Sequence, residues 1–122
     1  MFKVLIVEDE KILAEMYKDK LKEAGYEADL AFSSEEALEY LKKKKPDLIL
    51  LDILLPRENG TIFLRKIKKL KKTAEIPVVA FSNYDEPKTK KETLDLGAKD
   101  YLIKTAYTPQ QLVDQIRNFL PQ

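Results

Sequence analysis

The feature that most narrows the possible folds is a series of short apolar runs, each cut off by a charged or hydroxyl residue and separated from the next by a helical pattern. Residues 2–7 form an apolar, β-branched run interrupted only by Lys3, and it stops at Glu8, Asp9 and Glu10. Residues 48–51 are wholly apolar and stop at Asp52, residues 77–81 stop at Ser82, and residues 101–103 stop at Lys104. Continuous apolar runs of this length read as strands buried on both faces, the habit of parallel sheets. Residues 27–31 alternate polar and apolar, which predicts a strand near a sheet edge.

The segments between carry helical spacing. Ile12, Leu13, Met16, Tyr17, Leu21 and Ala24 predict an amphipathic helix from Lys11 to Ala24, stopped by Gly25. Ser33 with Glu36 has capping-box spacing and is followed by Ala37, Leu38 and Leu41, with Pro46 and Asp47 ending that helix. After a turn-rich stretch with Pro56, Asn59 and Gly60, a third helix is marked by Ile62, Phe63, Ile67 and Leu70. Pro87 opens a fourth helix that Gly97 closes. Thr108, Pro109 and Gln111 supply a cap, a first-turn proline and a capping partner for a last helix through Leu112, Val113, Ile116, Phe119 and Leu120. Five strands alternating with five helices predict an α/β fold, a doubly wound parallel sheet with helices on both faces. At 122 residues, one domain over residues 1–122 is expected.

Composition removes whole classes of chemistry. The chain has no cysteine and no histidine, which excludes a disulfide scaffold, a thiolate nucleophile, serine–histidine catalysis and imidazole or thiolate metal sites. A formal charge of +1 from 22 basic and 21 acidic residues gives no global reason to expect direct nucleic-acid or membrane binding. Apolar runs fall far below the about 20 residues of a membrane span, and no secretory segment opens the chain, so a cytoplasmic protein is expected. Two basic runs, Lys42 to Lys45 and Lys66, Lys68, Lys69, Lys71 and Lys72, read as solvated helix faces.

In open parallel α/β sheets, ligands bind at the carboxyl ends of the strands. Those ends bring Glu8, Asp9, Asp52, Ser82 and Lys104 to one rim. A single aspartate after a strand is most often a cap or a solvated loop residue, but five complementary strand ends make coincidence a poor account. Gathered carboxylates raise one another's pKa unless a cation neutralises them, and hard oxygen donors suit magnesium (Mg2+). A lysine opposite engages a phosphoryl group as a point charge, and a serine hydroxyl hydrogen-bonds it. With three glycines in all, neither a P-loop nor a dinucleotide fingerprint can be assembled, so the expected ligand is a phosphoryl group and not a nucleotide.

These residues carry a resemblance over essentially the whole length. Val4 to Glu10, Asp47 to Gly60, Pro77 to Ser82 and Gly97 to Lys104 make the chain resemble the receiver domain of two-component response regulators, the single-domain chemotaxis type among them. The resemblance implies a flavodoxin-like strand order of 2-1-3-4-5. It also implies that Asp52 is the phosphoacceptor and that Glu8, Asp9, Asp52 and the backbone carbonyl of Leu54 hold magnesium. Lys104 would contact the phosphoryl group, and Ser82 and Tyr101 would be the switch pair, the ring turning inward behind the hydroxyl.

Such a protein is a signalling switch, not an enzyme in the ordinary sense, although it takes part in its own phosphorylation and dephosphorylation. With no histidine of its own, its phosphodonor is expected to be a histidine kinase or phosphotransfer protein. A downstream protein is expected on the face of the fourth helix, fifth strand and fifth helix. No second domain is expected after Leu120, although an excised receiver of a larger regulator or hybrid kinase fits the same residues. A phosphorylation-independent interaction module is the alternative, and retention of all the site residues argues against it. An aspartyl-nucleophile phosphatase needs a second aspartate where Leu54 stands.

Two positions depart from the family pattern. Thr105 replaces the proline usual after the lysine, and a non-proline cis bond costs about 3 to 4 kcal/mol, so a trans and differently shaped loop is expected. Asn83 stands where a small residue usually follows the hydroxyl, placed to narrow access to the phosphoryl group or to hydrogen-bond it. By the family's geometry Leu54 and Tyr84 flank the path of hydrolytic water, which predicts slow self-dephosphorylation.

Overall fold

The computed structural model describes residues 1–120, so Pro121 and Gln122 of the expected domain lie outside the described residues. Along the chain run β1 (Lys3–Val7), α1 (Lys11–Glu23), β2 (Glu27–Ala31), α2 (Ser34–Lys43), β3 (Leu48–Asp52), α3 (Gly60–Lys69), β4 (Val78–Ser82), α4 (Pro87–Asp95), β5 (Asp100–Ile103) and α5 (Pro109–Arg117). A single 3-10 turn, Lys104–Ala106, joins β5 to α5. The strands form one parallel sheet in the order β2-β1-β3-β4-β5. The expected flavodoxin-like α/β architecture is therefore present, and β2 is an edge strand as its alternating pattern predicts.

Because side chains alternate across a strand, each buried strand feeds two cores. Leu5, Val7, Ile49, Leu51, Val78 and Ala80 pack with Ala37 and Leu41 of α2 and Phe63, Leu64 and Ile67 of α3. Val4, Ile6, Leu48, Leu50, Val79, Phe81 and Leu102 pack on the other side with Tyr17 and Leu21 of α1 and Leu112, Val113 and Ile116 of α5. Each fully buried Leu, Ile, Val or Phe is worth about 1.5 to 3 kcal/mol, so the cores dominate the favourable terms. Helix α4 is the lightest element, with Thr93 its one buried residue.

Several local expectations need correction. Ile12 is 89% exposed, because α1 buries the face of Ala14, Tyr17 and Leu21, and Ile12 falls outside that stripe. Ile62 and Leu70 are exposed as well. The buried face of α3 is Gly60, Thr61, Phe63, Leu64 and Ile67, and Leu70 lies past its last turn as the C-cap. The box at Ser33 is half-formed. Its hydroxyl accepts from Glu36 N at 3.1 Å, but the Glu36 carboxylate accepts from Phe32 N at 3.3 Å, one residue earlier than the reciprocal bond requires. Helix α5 stops at Arg117, leaving Phe119 and Leu120 in the turns that follow.

The box at the start of α5 is complete, with Gln111 N donating to Thr108 Oγ1 at 3.1 Å and Thr108 N to Gln111 Oε1 at 2.9 Å. Thr108→Ala is expected to lower stability by about 1 kcal/mol. A urea midpoint unchanged from the native chain would show that the cap does not contribute.

Candidate functional site

Strand register decides which residues meet at the rim. Asp52 closes β3 opposite Phe81, and Ser82 closes β4 opposite Ile103, so the next residue, Lys104, starts just beyond the hydroxyl. Glu8 N donates to Ala31 O at 3.0 Å, which continues the hydrogen bonding of β1 and turns Glu8 into the protein. Glu8 and Ser82 are fully buried and Asp52 nearly so, while Asp9 is partly exposed. One carboxylate oxygen from each of Glu8, Asp9 and Asp52 lies within 4.8 Å of the others.

Among the described residues, a single ammonium bonds to this cluster. Lys104 Nζ donates to Glu8 Oε1 at 2.6 Å and to Asp52 Oδ2 at 3.1 Å, and its side chain is 10% exposed. Asp52 Oδ1 accepts from Leu54 N at 3.0 Å. Burial pushes the Glu8 carboxyl up to about 7 against the hydrogen bond from Lys104, and the charge of Asp52 adds to the rise. Burial pulls the Lys104 ammonium the other way, downward, but the hydrogen bond to Glu8 and the charges of Asp52 and Glu8 outweigh it and hold its pKa above the usual value. The cluster is therefore short of positive charge. Its donor set is all carboxylate, with neither histidine nor cysteine in the chain, and such hard oxygens fit magnesium.

The structure brings together Glu8, Asp9, Asp52 and Lys104, with Ser82 on the neighbouring strand end. Ser82 Oγ accepts from Tyr84 N at 2.9 Å. Tyr101 is buried, 4% exposed, and its hydroxyl donates to Tyr84 O at 2.6 Å, so the ring lies inward. Asn83 is exposed, as are Leu54 and Tyr84. Every described peptide bond is trans, in line with Thr105, and the 3-10 turn still lets Lys104 reach both carboxylates.

Two contributors are not visible as such in the sequence. Gly60 starts α3 against the end of β3, with its N–H donating to Ile53 O at 2.8 Å; the glycine reads as a turn residue, and nothing in the pattern marks the close approach. Phe81 reads as one more core residue, yet Lys104 Nζ stands 4.6 Å from its ring centroid.

The basic runs lie apart from these residues. Lys72 Nζ donates to Lys42 O at 3.0 Å and brings the two runs together. Lys68 corrects the solvated-face reading, since its ammonium is tied to Ala74 O at 3.1 Å and Ile76 O at 3.0 Å. A groove of about 680 Å³ between Leu38 and Leu70 shares no residue with the carboxylate cluster. Among the described residues, no helix is long and apolar enough to cross a membrane.

Comparison with known proteins adds independent findings. The family model described as the response regulator receiver domain matches residues 4–117. The transcriptional regulatory protein DltR of Streptococcus agalactiae is 36% identical over 115 residues, which are 94% of this chain and 50% of that protein. The chain thus spans about half the length of the curated relatives it matches. The chemotaxis response regulator CheY4 of Vibrio cholerae superposes with a TM-score of 0.90 at 28% identity, over 98% of this chain and 99% of that one. The phosphorylated cyanobacterial phytochrome response regulator RcpA gives a TM-score of 0.89 at 29% identity, over 98% and 93% of the two chains.

Proposed function

Because this chain belongs to the response regulator receiver domain family of two-component systems, we propose that it is a phosphorylation-dependent switch whose phosphoacceptor is Asp52. The observation that carries the reading is the Lys104 ammonium held between Glu8 and Asp52 beside three converging carboxylates. Asp52 presents a carboxylate oxygen at the rim to the phosphorus of a phosphohistidine on a kinase or phosphotransfer protein. The new P–O bond forms as the P–N bond breaks, its electron pair leaving on the imidazole. Lys104 then pairs with the phosphoryl oxygens, and Ser82 hydrogen-bonds one of them. Tyr101, inward and bonded to Tyr84, occupies the space behind the β4–α4 loop. Glu8, Asp9, Asp52 and the Leu54 carbonyl would hold magnesium, which when bound neutralises the carboxylates and the phosphoryl oxygens. Output is through a downstream protein on the face of α4, β5 and α5.

The test is incubation with acetyl phosphate and magnesium followed by peptide mass analysis. The expected result is a hydroxylamine-labile phosphoryl group on Asp52. An unmodified chain would favour a phosphorylation-independent interaction module.

Magnesium is expected to stabilise the folded protein, by about 2.7 kcal/mol at 100 times its Kd, because it relieves repulsion among the carboxylates. Asp9→Ala is expected to remove most of that gain. Coincident thermal melts of the native chain with and without magnesium would show that the three carboxylates are not a metal site.

The phosphorylated state is expected to be long-lived. Leu54 and Tyr84, two positions after Asp52 and Ser82, are 49% and 43% exposed, and neither an isobutyl group nor a phenol beside the water's path, where the resemblance puts them, orients an in-line water well. Leu54→Asn with Tyr84→Ser is expected to speed phosphate loss several-fold after donor removal. A fast native rate that the double variant leaves unchanged would show that these side chains do not gate water.

A further inference from the structure

Besides its two carboxylate partners, Lys104 has a contact that is not a carboxylate. Its Nζ lies over the Phe81 ring, 4.6 Å from the centroid, while also bonding Glu8 and Asp52. Phe81 is fully buried in β4, in register with Asp52 on one side and Leu102 on the other. Leu102 packs on the same side of the sheet as Phe81, and Lys104, which opens the 3-10 turn after β5, brings its Nζ over that ring. The ring is itself braced, since Tyr17 meets it edge-on with centroids 5.4 Å apart and planes at 72°.

After Lys104 the backbone is trans and makes one 3-10 turn, with Thr105 and Ala106 exposed. The lysine stem is flexible, so the position of the ammonium depends on what binds it. Arrival of a phosphoryl group on Asp52 replaces one of the two carboxylate partners. The negative face of the ring stays where it is throughout, and attraction between a cation and an aromatic face is strongest where water is excluded.

We infer that Phe81 is a positioning residue, whose ring, braced by Tyr17, holds the Lys104 ammonium over the carboxylate pocket while its anionic partners change. This deepens the proposed function and rests on Lys104 acting on the phosphoryl group. It also accounts for how the lysine is kept in reach with Thr105 in place of proline.

The experiment replaces Phe81 in the full chain by mono-, di- and trifluorophenylalanine, which nearly keep the ring's shape while progressively weakening its negative face. Phosphorylation by limiting acetyl phosphate with magnesium is expected to slow in graded steps, several-fold in all. In a Lys104→Met background, which keeps the stem and removes the charge, the same series is expected to be flat over the residual rate. A flat series in the native background, or equal slopes in both, overturns the inference, because a packing role acts without regard to the ammonium. If the unsubstituted chain accepts no phosphoryl group, the function reading fails and the inference is decided separately by NMR relaxation of the Lys104 ammonium. Mobility rising with fluorination supports the ring as its holder, and unchanged mobility overturns it.

Discussion

An Asp52→Asn protein is expected to accept no phosphoryl group from acetyl phosphate while remaining at least as well folded as the original. A neutral amide offers no carboxylate oxygen to attack phosphorus, so uptake is expected to fall to background. The shape is nearly kept. The amide oxygen still accepts the Leu54 N–H now bonded to Asp52 Oδ1 at 3.0 Å, and Lys104 retains Glu8 at 2.6 Å. The charge is what changes. Asp52 is one of the causes that push the Glu8 carboxyl up to about 7, after burial, so neutralising it removes repulsion inside a buried cluster. Stability is therefore expected to hold or to rise by about 1 kcal/mol, which urea unfolding measures. A hydroxylamine-labile phosphoryl group on the variant would refute Asp52 as the acceptor. A large loss of stability would refute the description of the cluster as short of positive charge.

Gly60→Ala is expected to be among the most damaging single-methyl changes in the chain. A β-carbon there stands 2.6 Å from the Asp52 carbonyl oxygen and 2.8 Å from the Ile53 α-carbon, both backbone atoms that cannot swing aside. Helix α3 would have to lift from the end of β3, at an expected cost of about 3 kcal/mol. The displaced carbonyl belongs to Asp52, the proposed phosphoacceptor, so phosphorylation is expected to fall as well. Gly25→Ala is the natural comparison. Gly25 has φ +93° with nothing within 4 Å of an added β-carbon, so that substitution meets backbone strain alone, about 1 to 2 kcal/mol. If urea unfolding finds Gly60→Ala no worse than Gly25→Ala, the close approach of α3 to β3 is not what seats that helix.

The order of elements is legible in the sequence because burial on both faces leaves strands as uninterrupted apolar runs, and a polar residue at the end of such a run is plain to see. Glu8, Asp9, Asp52, Ser82 and Lys104 are all found that way. The strand order comes from resemblance, since apolar periodicity says that residues 48–51 are buried but not which strands flank them. Ile12 is misread because an apolar residue adjoining a helical stripe cannot be told from one inside it until the helix has something to pack against. The half-formed box at Ser33 shows a similar limit, where correct spacing does not decide which N–H the Glu36 carboxylate meets. Phe81 is the extreme case. Its role depends on how far the Lys104 side chain reaches across a strand, and no pattern within β4 records that.

In the strand order β2-β1-β3-β4-β5, the strand that ends in Asp52 and the strand that Lys104 follows are not neighbours, because β4 lies between them and no ladder hydrogen bond joins β3 to β5. One side chain bridges that gap over the face of β4. Such a bridge works in both directions. If a phosphoryl group on β3 favours one placement of Lys104, a protein that binds the β5 edge and prefers that placement must favour phosphorylation by the same factor, since linkage between two binding events is reciprocal. Under the proposed function, the downstream partner is then a determinant of how much of the protein is phosphorylated at a given donor concentration, and the level of the signal would depend on its listener as well as on its source.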